Sequence, residues 1–393
     1  MNTLSNRSFI QKGWTREFKK AAVLGVVLSV LLPFAGKGQI VYAASLTVTT
    51  TDDELNADGD CSLREAIQAA NTDTAVDACF AGSGADTIVL PAGTYSLSIA
   101  GAGEYANATG DLNITSDLTL QGDGAATTIL DGADLDRVLH IFAGQVQISG
   151  VTIRNGSAEF GSGIFNHGGT LEIYNSSIRN NDAIVKGGIF NGSLGTATIK
   201  NSTISENTGS HGGISNEGTV TIIDSTFSNN VVTNDLGGAI GNGDTGIMTI
   251  EGSNFSGNGS ARGGAIFNWG SISITGSSFT GNTAGSGGAI TNSGSGIATI
   301  DKSTFSENSA PDGGAIFNFG GDLTLISVTV KNNTANFGGG IFNSDSLSLI
   351  KSMVTGNSAT SGPGSGGGIF NNGSVTLTKS KVRNNQPDNC VGC

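Results

Sequence analysis

The chain has 393 residues, of which 62 are glycine, 5 are proline and 13% are charged, with a formal net charge of −13. Glycine at that level and so little charge exclude a coiled coil, 37% hydrophobic content argues against simple disorder, and the glycines keep no three-residue period, so a collagen helix is excluded too. Three histidines and four cysteines leave little material for a zinc or haem protein.

The chain opens with a basic segment carrying Arg7, Lys12, Arg16, Lys19 and Lys20, followed by an apolar run over residues 21–35 that Pro33 interrupts. Val41-Tyr42-Ala43 then offers small residues at the positions a signal peptidase reads. This predicts a secretory signal over residues 1–43, cleaved after Ala43. The apolar run falls short of the roughly 20 residues that cross a bilayer. No cysteine lies near the cut, so a lipid anchor is not expected, and no later stretch is long enough to span in the mature chain. Cleavage removes six basic residues and one acidic residue, leaving 13 against 31 and a net of −18. Nucleic acid and anionic membranes are therefore disfavoured partners.

Residues 44–110 read as a cap. Asp52, Asp53, Asn56, Asp58 and Asp60 hint at calcium, but the stretch lacks the glycine and closing glutamate of an EF-hand loop. A solvated turn before a helix explains it better. Ser62-Leu63-Arg64-Glu65 is a capping box, and Leu63, Ala66, Ile67 and Ala70 then share one face of a helix running to about Asn71. That face can cover the open end of a core. Asp86-Thr87-Ile88-Val89-Leu90 supplies the next strand. In an oxidising compartment the simplest cysteine pairing is Cys61–Cys79 and Cys390–Cys393, although four cysteines allow three pairings. The last four residues match a prenylation box in form only, because the chain is expected to be secreted.

Residues 111–385 are dominated by a repeat of about 25 residues. The asparagine of Gly-Gly-x-Ile-Phe-Asn recurs at Asn166, Asn191, Asn216, Asn242, Asn268, Asn292, Asn318, Asn343 and Asn371. Each copy also holds an alternating piece such as Val220-Thr221-Ile222 and a large apolar residue followed three positions later by asparagine, as in Phe255 and Asn258. A period of two within each piece means strands. Three short strands per repeat, polar bends and no helix describe one coil of a parallel β-helix, stacked at about 4.8 Å per coil. The fold class is all-β, and about ten coils make a rod of roughly 50 Å. The isoleucine of each copy faces the core, and both asparagine columns are expected to form internal ladders. Phe165, Phe190, Phe267, Phe317, Phe342 and Phe370 share a column with Ser215, Gly241 and Thr291, so that column is placed outward or at a bend. Residues 386–393 are left as a tail carrying Cys390 and Cys393.

Cys61-Ser62-Leu63-Arg64-Glu65-Ala66-Ile67 resembles the motif that names the CSLREA N-terminal domain of secreted bacterial proteins. The Gly-Gly-Ala-Ile and Phe-x-x-Asn phrases, Gly263 to Ile266 and Phe255 to Asn258 for example, resemble the polymorphic outer-membrane protein repeat. Together the two resemblances cover about residues 46–385. They imply a right-handed β-helix of the pectin-lyase type and an exported, secreted or outer-membrane, cell-surface location. The repeat family's autotransporters end in a membrane barrel; none follows here, so retention by a barrel of its own is not expected.

Chemistry is harder to find. A lyase needs acids gathered on calcium with a nearby Arg or Lys as base, and a hydrolase needs paired carboxylates on one face. Glu206 and Glu307 share a column but lie coils apart, and Asp224, Glu251 and Asp301 are not in register. Arg154 and Arg179 stack in adjacent coils, with Lys331 and Arg383 further along the same column; solvated charge accounts for them. His140, His167 and His211 stand alone and read as structural or surface residues. The outward file of threonines, Thr198 to Thr376, reflects β-propensity, because the neighbouring column is too mixed for an ice-binding array. The expected function is a non-catalytic adhesin or glycan-contacting structural protein, with no catalytic residue, no bound metal and no cofactor. Its partners would be polysaccharides or cell-surface glycans met by the phenylalanine column. The alternative is a polysaccharide-degrading enzyme of the pectate-lyase kind, and a third is a purely architectural spacer.

Overall fold

A computed structural model describes residues 43–233 and 235–393. All but the last residue of the expected signal segment lies outside the described residues. Among those described, no helix is long and apolar enough to cross a membrane.

The alternating segments form strands, and each strand pairs in parallel with its equivalent one repeat away, without register shift along the main sheets. The result is a parallel β-solenoid of about 26 residues per turn. A first sheet of 13 strands runs from Ser45–Thr47 to Ser374–Thr378. A second sheet of 12 strands carries the Ile-Phe-Asn segments and runs from Leu112–Ile114 to Cys390–Val391. A third, also of 12, runs from Gly93–Ser96 to Lys381–Arg383. Because Ser45–Thr47, Asp86–Leu90 and Gly93–Ser96 already belong to these sheets, cap and solenoid share one hydrogen-bonded framework.

Stacking turns each repeat position into a column, and burial follows the columns. Ile164, Ile189, Ile214, Ile240, Ile266, Ile290, Ile316, Ile341 and Ile369 are all buried, as the repeat predicts. In the third sheet Phe227, Phe255, Phe279 and Phe305 stack face to face inside the core, 4.6–4.8 Å between centroids. Each such ring removed from water stabilises the fold by about 1.5–3 kcal/mol, and the near-parallel stacking is set by the coil spacing.

Two asparagine ladders run through the interior, as expected. In one, Nδ2 of Asn166, Asn191, Asn216, Asn242, Asn268, Asn292, Asn318 and Asn343 each donates to Oδ1 one coil on, at 2.7–2.9 Å. In the other, Asn181 through Asn385 repeat the pattern at 2.8–3.0 Å. The backbone N–H of each residue in that second ladder also donates to the next Oδ1, as Asn258 N does to Asn282 Oδ1 at 3.0 Å. A serine ladder, which the repeat analysis does not single out, joins the bend between the first and third sheets. There the N–H of Ser202 donates to Ser225 Oγ, Ser225 to Ser253 and Ser253 to Ser277, at 3.1–3.2 Å. Bend backbone that would be orphaned inside the rod is thus satisfied one coil at a time.

The helix Leu63–Thr72 forms as the capping box predicts: Glu65 N donates to Ser62 Oγ, and Ser62 N donates to Glu65 Oε2. Leu63, Ala66, Ile67, Ala69 and Ala70 pack into the same core as Leu46, Ile88, Leu112 and Ile114, closing the N-terminal end. Arg64, on the other side of the helix, is fully buried as well. Its Nε lies 2.6 Å from Asp53 Oδ1, and its Nη2 donates to the carbonyl of Gly110 at 2.8 Å. Asp53 is therefore committed to this pair and to the N–H groups of Ser98 and Ile99. Disulfides join Cys61 to Cys79 and Cys390 to Cys393, across Cα separations of 4.9 and 6.0 Å.

One departure concerns the loops between Phe-x-x-Asn and Gly-Gly. They are not free connections. Ser157–Phe160, Asp182–Lys186 and Thr208–Gly209 stack as a short sheet, as do Gly259–Arg262 with Thr283–Ser286 and Thr334–Ala335 with Ser358–Ala359. The rod has a partial fourth side, because any segment repeated at the coil spacing finds backbone partners above and below it.

Two stability predictions follow from buried polar groups. Asn258→Ala strands Asn230 Nδ2 and the amide of Asn230, and should cost about 1–3 kcal/mol; in a urea melt, the exposed Ser271→Ala serves as the control that changes little. Arg64→Ala leaves Asp53 buried beside the cap and should cost about 3–5 kcal/mol, seen as early loss of protection of the cap amides in hydrogen exchange.

Candidate functional site

The strand Ile-Phe-Asn puts its first and third side chains inside, so its phenylalanine points out of the second sheet. The structure resolves the direction of that column, and also shows that the column is not uniformly open. Phe190 and Phe267 are 7% and 1% exposed. Over Phe190 lie Phe160 and the Lys186 ammonium, and Trp269 stands edge-on against Phe267. Both rings are covered, which removes them from any contact surface. At Gly241 the His211 ring occupies the place a side chain would take, so only glycine fits there. Phe165, Phe317, Phe342 and Phe370 are half-buried, and the last three follow one another at 5.0–5.1 Å. Phe319 and Phe337 flank them with 55% and 38% exposure.

The densest chemistry lies at the N-terminal end of the same face. His140 occupies the phenylalanine column one coil before Phe165. Its ring stacks on Phe142 at 3.8 Å and on Phe165 at 4.7 Å, and His167 lies 6.1 Å away. Tyr105, 68% exposed, stands edge-on to both His140 and Phe142. Arg137 Nη1 donates to Asp111 Oδ2 at 2.5 Å and sits 3.0 Å from His140 Nδ1, while its Nε donates to the Phe160 carbonyl. The Arg137 guanidinium also lies over the Phe165 ring at 5.3 Å, a cation–π contact.

Burial pushes the Asp111 carboxyl up to about 6, against the opposing pull of Arg137. Burial, then the Arg137 charge, pushes His140 down to about 3. His140 is therefore neutral, and its 3.7 Å approach to Asp111 is not an ion pair. Arginine can only donate, so His140 Nδ1 accepts and the ring proton sits on Nε2. Nε2 is buried and has no hydrogen-bond partner. Such an orphan donor costs about 1–3 kcal/mol. His211, further along the face, is pushed down to about 4 by burial and then by Lys186.

His140 and His167 do not stand alone, contrary to the sequence reading. Asp111, Arg137, His140 and His167 come together because the coil period extends back beyond the first Ile-Phe-Asn copy. Counting one coil upstream from Phe165 lands on His140, but Ile141 replaces the repeat's asparagine and hides the phrase.

Other candidate residues are dispersed. Arg154 and Arg179 do stack, and Arg154 is taken up by Asp131 at 2.8 Å. Over the first sheet a groove of about 320 Å³ is lined by Asp117, Gln145, Gln147, Thr170 and Glu172. Glu172 Oε2 accepts from the Tyr174 hydroxyl at 2.9 Å. In the cap, Glu54, Asp58 and Asp60 bring one carboxylate oxygen each within 4.8 Å of one another, a set that shares Asp58 and Asp60 with the acidic stretch of the sequence. Burial, then Asp58, pushes the Glu54 and Asp60 carboxyls above their ordinary values.

Among families, the model of the Chlamydia polymorphic membrane protein repeat matches residues 302–318, within a single coil. No curated protein matches the sequence. Among solved structures, the chain is similar to a mannuronic acid specific polysaccharide family 6 lyase from human gut microbiota, at 12% identity and a TM-score of 0.42, over 75% of this chain and 78% of that one. It is also similar to pectate lyase Pel9A, at 14% identity and a TM-score of 0.33, over 90% of this chain and 82% of that one.

The electrostatics give a direct test. The Hε1 resonance of His140 should stay fixed from about pH 8 to about pH 5, a range in which an ordinary histidine titrates; a midpoint near 6.5 would overturn the neutral assignment. His140, depressed in the fold, contributes stability that is lost as pH falls from about 6.5 toward about 3, whereas Asp111, raised, contributes stability that is lost as pH rises from about 4 to about 6. The two oppose each other, so His140→Phe should shift the balance of stability toward acid relative to wild type in urea melts across that window.

Proposed function

We propose that the protein is exported and displayed at the cell surface or secreted, and that it contacts glycans through the aromatic side of its second sheet without catalysing a reaction. The observation that carries this reading is the aromatic face itself. Tyr105, Phe142, Phe165 and His167 cluster at one end, and Phe317, Phe319, Phe342, Phe370 and Phe337 at the other, all on one side of a rigid rod. Aromatic rings that are partly exposed, fixed by stacking and accompanied by polar side chains suit the C–H faces and hydroxyls of sugars. The match of residues 302–318 to a polymorphic membrane protein repeat supports a surface location. The secretory signal read from residues 1–43 supports export.

The alternative, a polysaccharide-degrading enzyme, draws on the groove over the first sheet. Its acids, Asp117 just before the strand Leu118–Gly122 and Glu172 in Thr170–Tyr174, are separated by the intervening strand Gln145–Ser149, and no lysine or arginine lines the groove with them. A basic side chain and adjacent paired carboxylates are therefore not assembled at this place. The non-catalytic reading fits better.

The test uses the chain from Ala44 onward with a panel of neutral and acidic polysaccharides, with calcium or with chelator. Retention on one or more glycans, without a rise in the ultraviolet absorbance of unsaturated uronate, is the expected outcome. Phe319→Ala and Phe337→Ala together should weaken retention on long polymers by several-fold. Calcium-dependent absorbance would replace this reading with the lyase.

A further inference from the structure

The orphan donor of His140 defines a more specific site. Its Nδ1 is committed to Arg137, and the two nitrogens of an imidazole point to different sides of the ring. Nε2–H is thus turned away from the Arg137–Asp111 pair, in the plane of an imidazole whose faces stack on aromatic rings, and it is buried without an acceptor. The rings around it are Tyr105, Phe142, Phe165 and His167. Of these Tyr105 is the one that meets the imidazole edge-on. It is 68% exposed and belongs to a glycine- and alanine-rich loop over residues 100–110. Displacing it would bring an acceptor from solvent to Nε2.

We propose that this end of the face holds one uncharged pyranose residue of a neutral polysaccharide, a ring hydroxyl accepting from His140 Nε2 and a C–H face lying against the aromatic cluster. The proposal rests on the glycan-contact reading above and names its ligand class. Three features select that class. A buried donor beside aromatic rings asks for a ligand that is apolar on one face and rich in acceptors at its edge, which is the character of a sugar ring. A peptide adding as a strand is ruled out, because Leu139–Ile141 is already paired on both sides, with Leu112–Ile114 and with Ile164–Asn166. An acidic sugar is disfavoured by charge: Asp111, Asp136 and Glu104 face the cluster against the single guanidinium of Arg137. Asp136 and Glu104 are fixed in place, the first by the amide of Asp111 and the second by Asn113 Nδ2 and the amides of Ala106, Ala108 and Thr109.

The test adds neutral hexasaccharides of glucose, mannose and galactose, and hexagalacturonate as the acidic counterpart, to histidine-labelled protein. The expected result is a shift of the His140 Nε2 nitrogen resonance with a neutral hexasaccharide and none with hexagalacturonate. Binding should fall about tenfold in His140→Phe, about 1.4 kcal/mol, and should rise in Tyr105→Ala, where no ring has to be displaced before the sugar reaches Nε2. Tyr105 is at the surface and makes no hydrogen bond through its hydroxyl, so that variant keeps the test valid even where His140→Phe folds poorly. Binding of neutral sugars that leaves the His140 resonance and the Tyr105→Ala affinity unchanged overturns this site while the glycan reading stands. So does binding of hexagalacturonate alone. If neither these oligosaccharides nor the polysaccharide panel binds, the glycan reading falls and takes this site with it.

Discussion

Everything in this molecule depends on one spacing. Parallel strands pair at about 4.8 Å, and a coil that repeats must place every side chain that distance from its copy. The constraint is severe inside the rod, where no side chain has anywhere else to go. It accepts residues that are good neighbours to themselves: isoleucine, which packs, phenylalanine, which stacks, and asparagine, whose amide donates on one side and accepts on the other. Isoleucine, phenylalanine and asparagine form the rod's most regular interior files, beside a mixed column of leucine, alanine, valine and methionine in the first sheet and serine at one bend. A lysine or glutamate column could not survive there, because like charges would be held at contact distance without water.

The outer faces are released from that selection, and they are where the copies diverge. The phenylalanine column shows the transition. Its rings keep the coil spacing, yet the partial fourth side folds over some of them and leaves others open, so one sequence column becomes two separate exposed patches. At its N-terminal end the column changes chemistry altogether, with His140 replacing phenylalanine and Arg137 and Asp111 buried beside it. Burial does most of the electrostatic work there. It keeps the imidazole neutral and raises the Asp111 carboxyl, leaving His140 Nε2–H as an uncharged buried donor.

The solenoid, the two asparagine ladders and the capping box were legible from residue spacing, because each is repeated or local, whereas the Phe165 column could be placed only outward or at a bend. The His140 cluster was not legible, since it lies in the first coils, where Ile141 stands for the repeat's asparagine and Asn113 precedes His140 in the column. A count of the period carried upstream would have aligned them. The cover over Phe190 and Phe267 was hidden for a different reason: it comes from segments whose composition varies from coil to coil, and which become strands only because they are stacked. Glu54 does not stand out in the acidic stretch, where Asp53 is the residue committed elsewhere, to Arg64.

The ladders have a direction. Each amide nitrogen points to the coil that follows, and the last ones are closed by groups outside the pattern, Asn385 by the side chain of Asn389 and Asn371 by the carbonyl of Gly392. A rod built this way has a quantised length. Removing or duplicating one whole coil leaves every amide with a partner and both termini as they are, whereas removing part of a coil would bring threonine into the isoleucine column and break all the interior files at once. The length of the rod can therefore change in steps of one coil, with each step among the regular coils leaving the cap and the His140 cluster untouched.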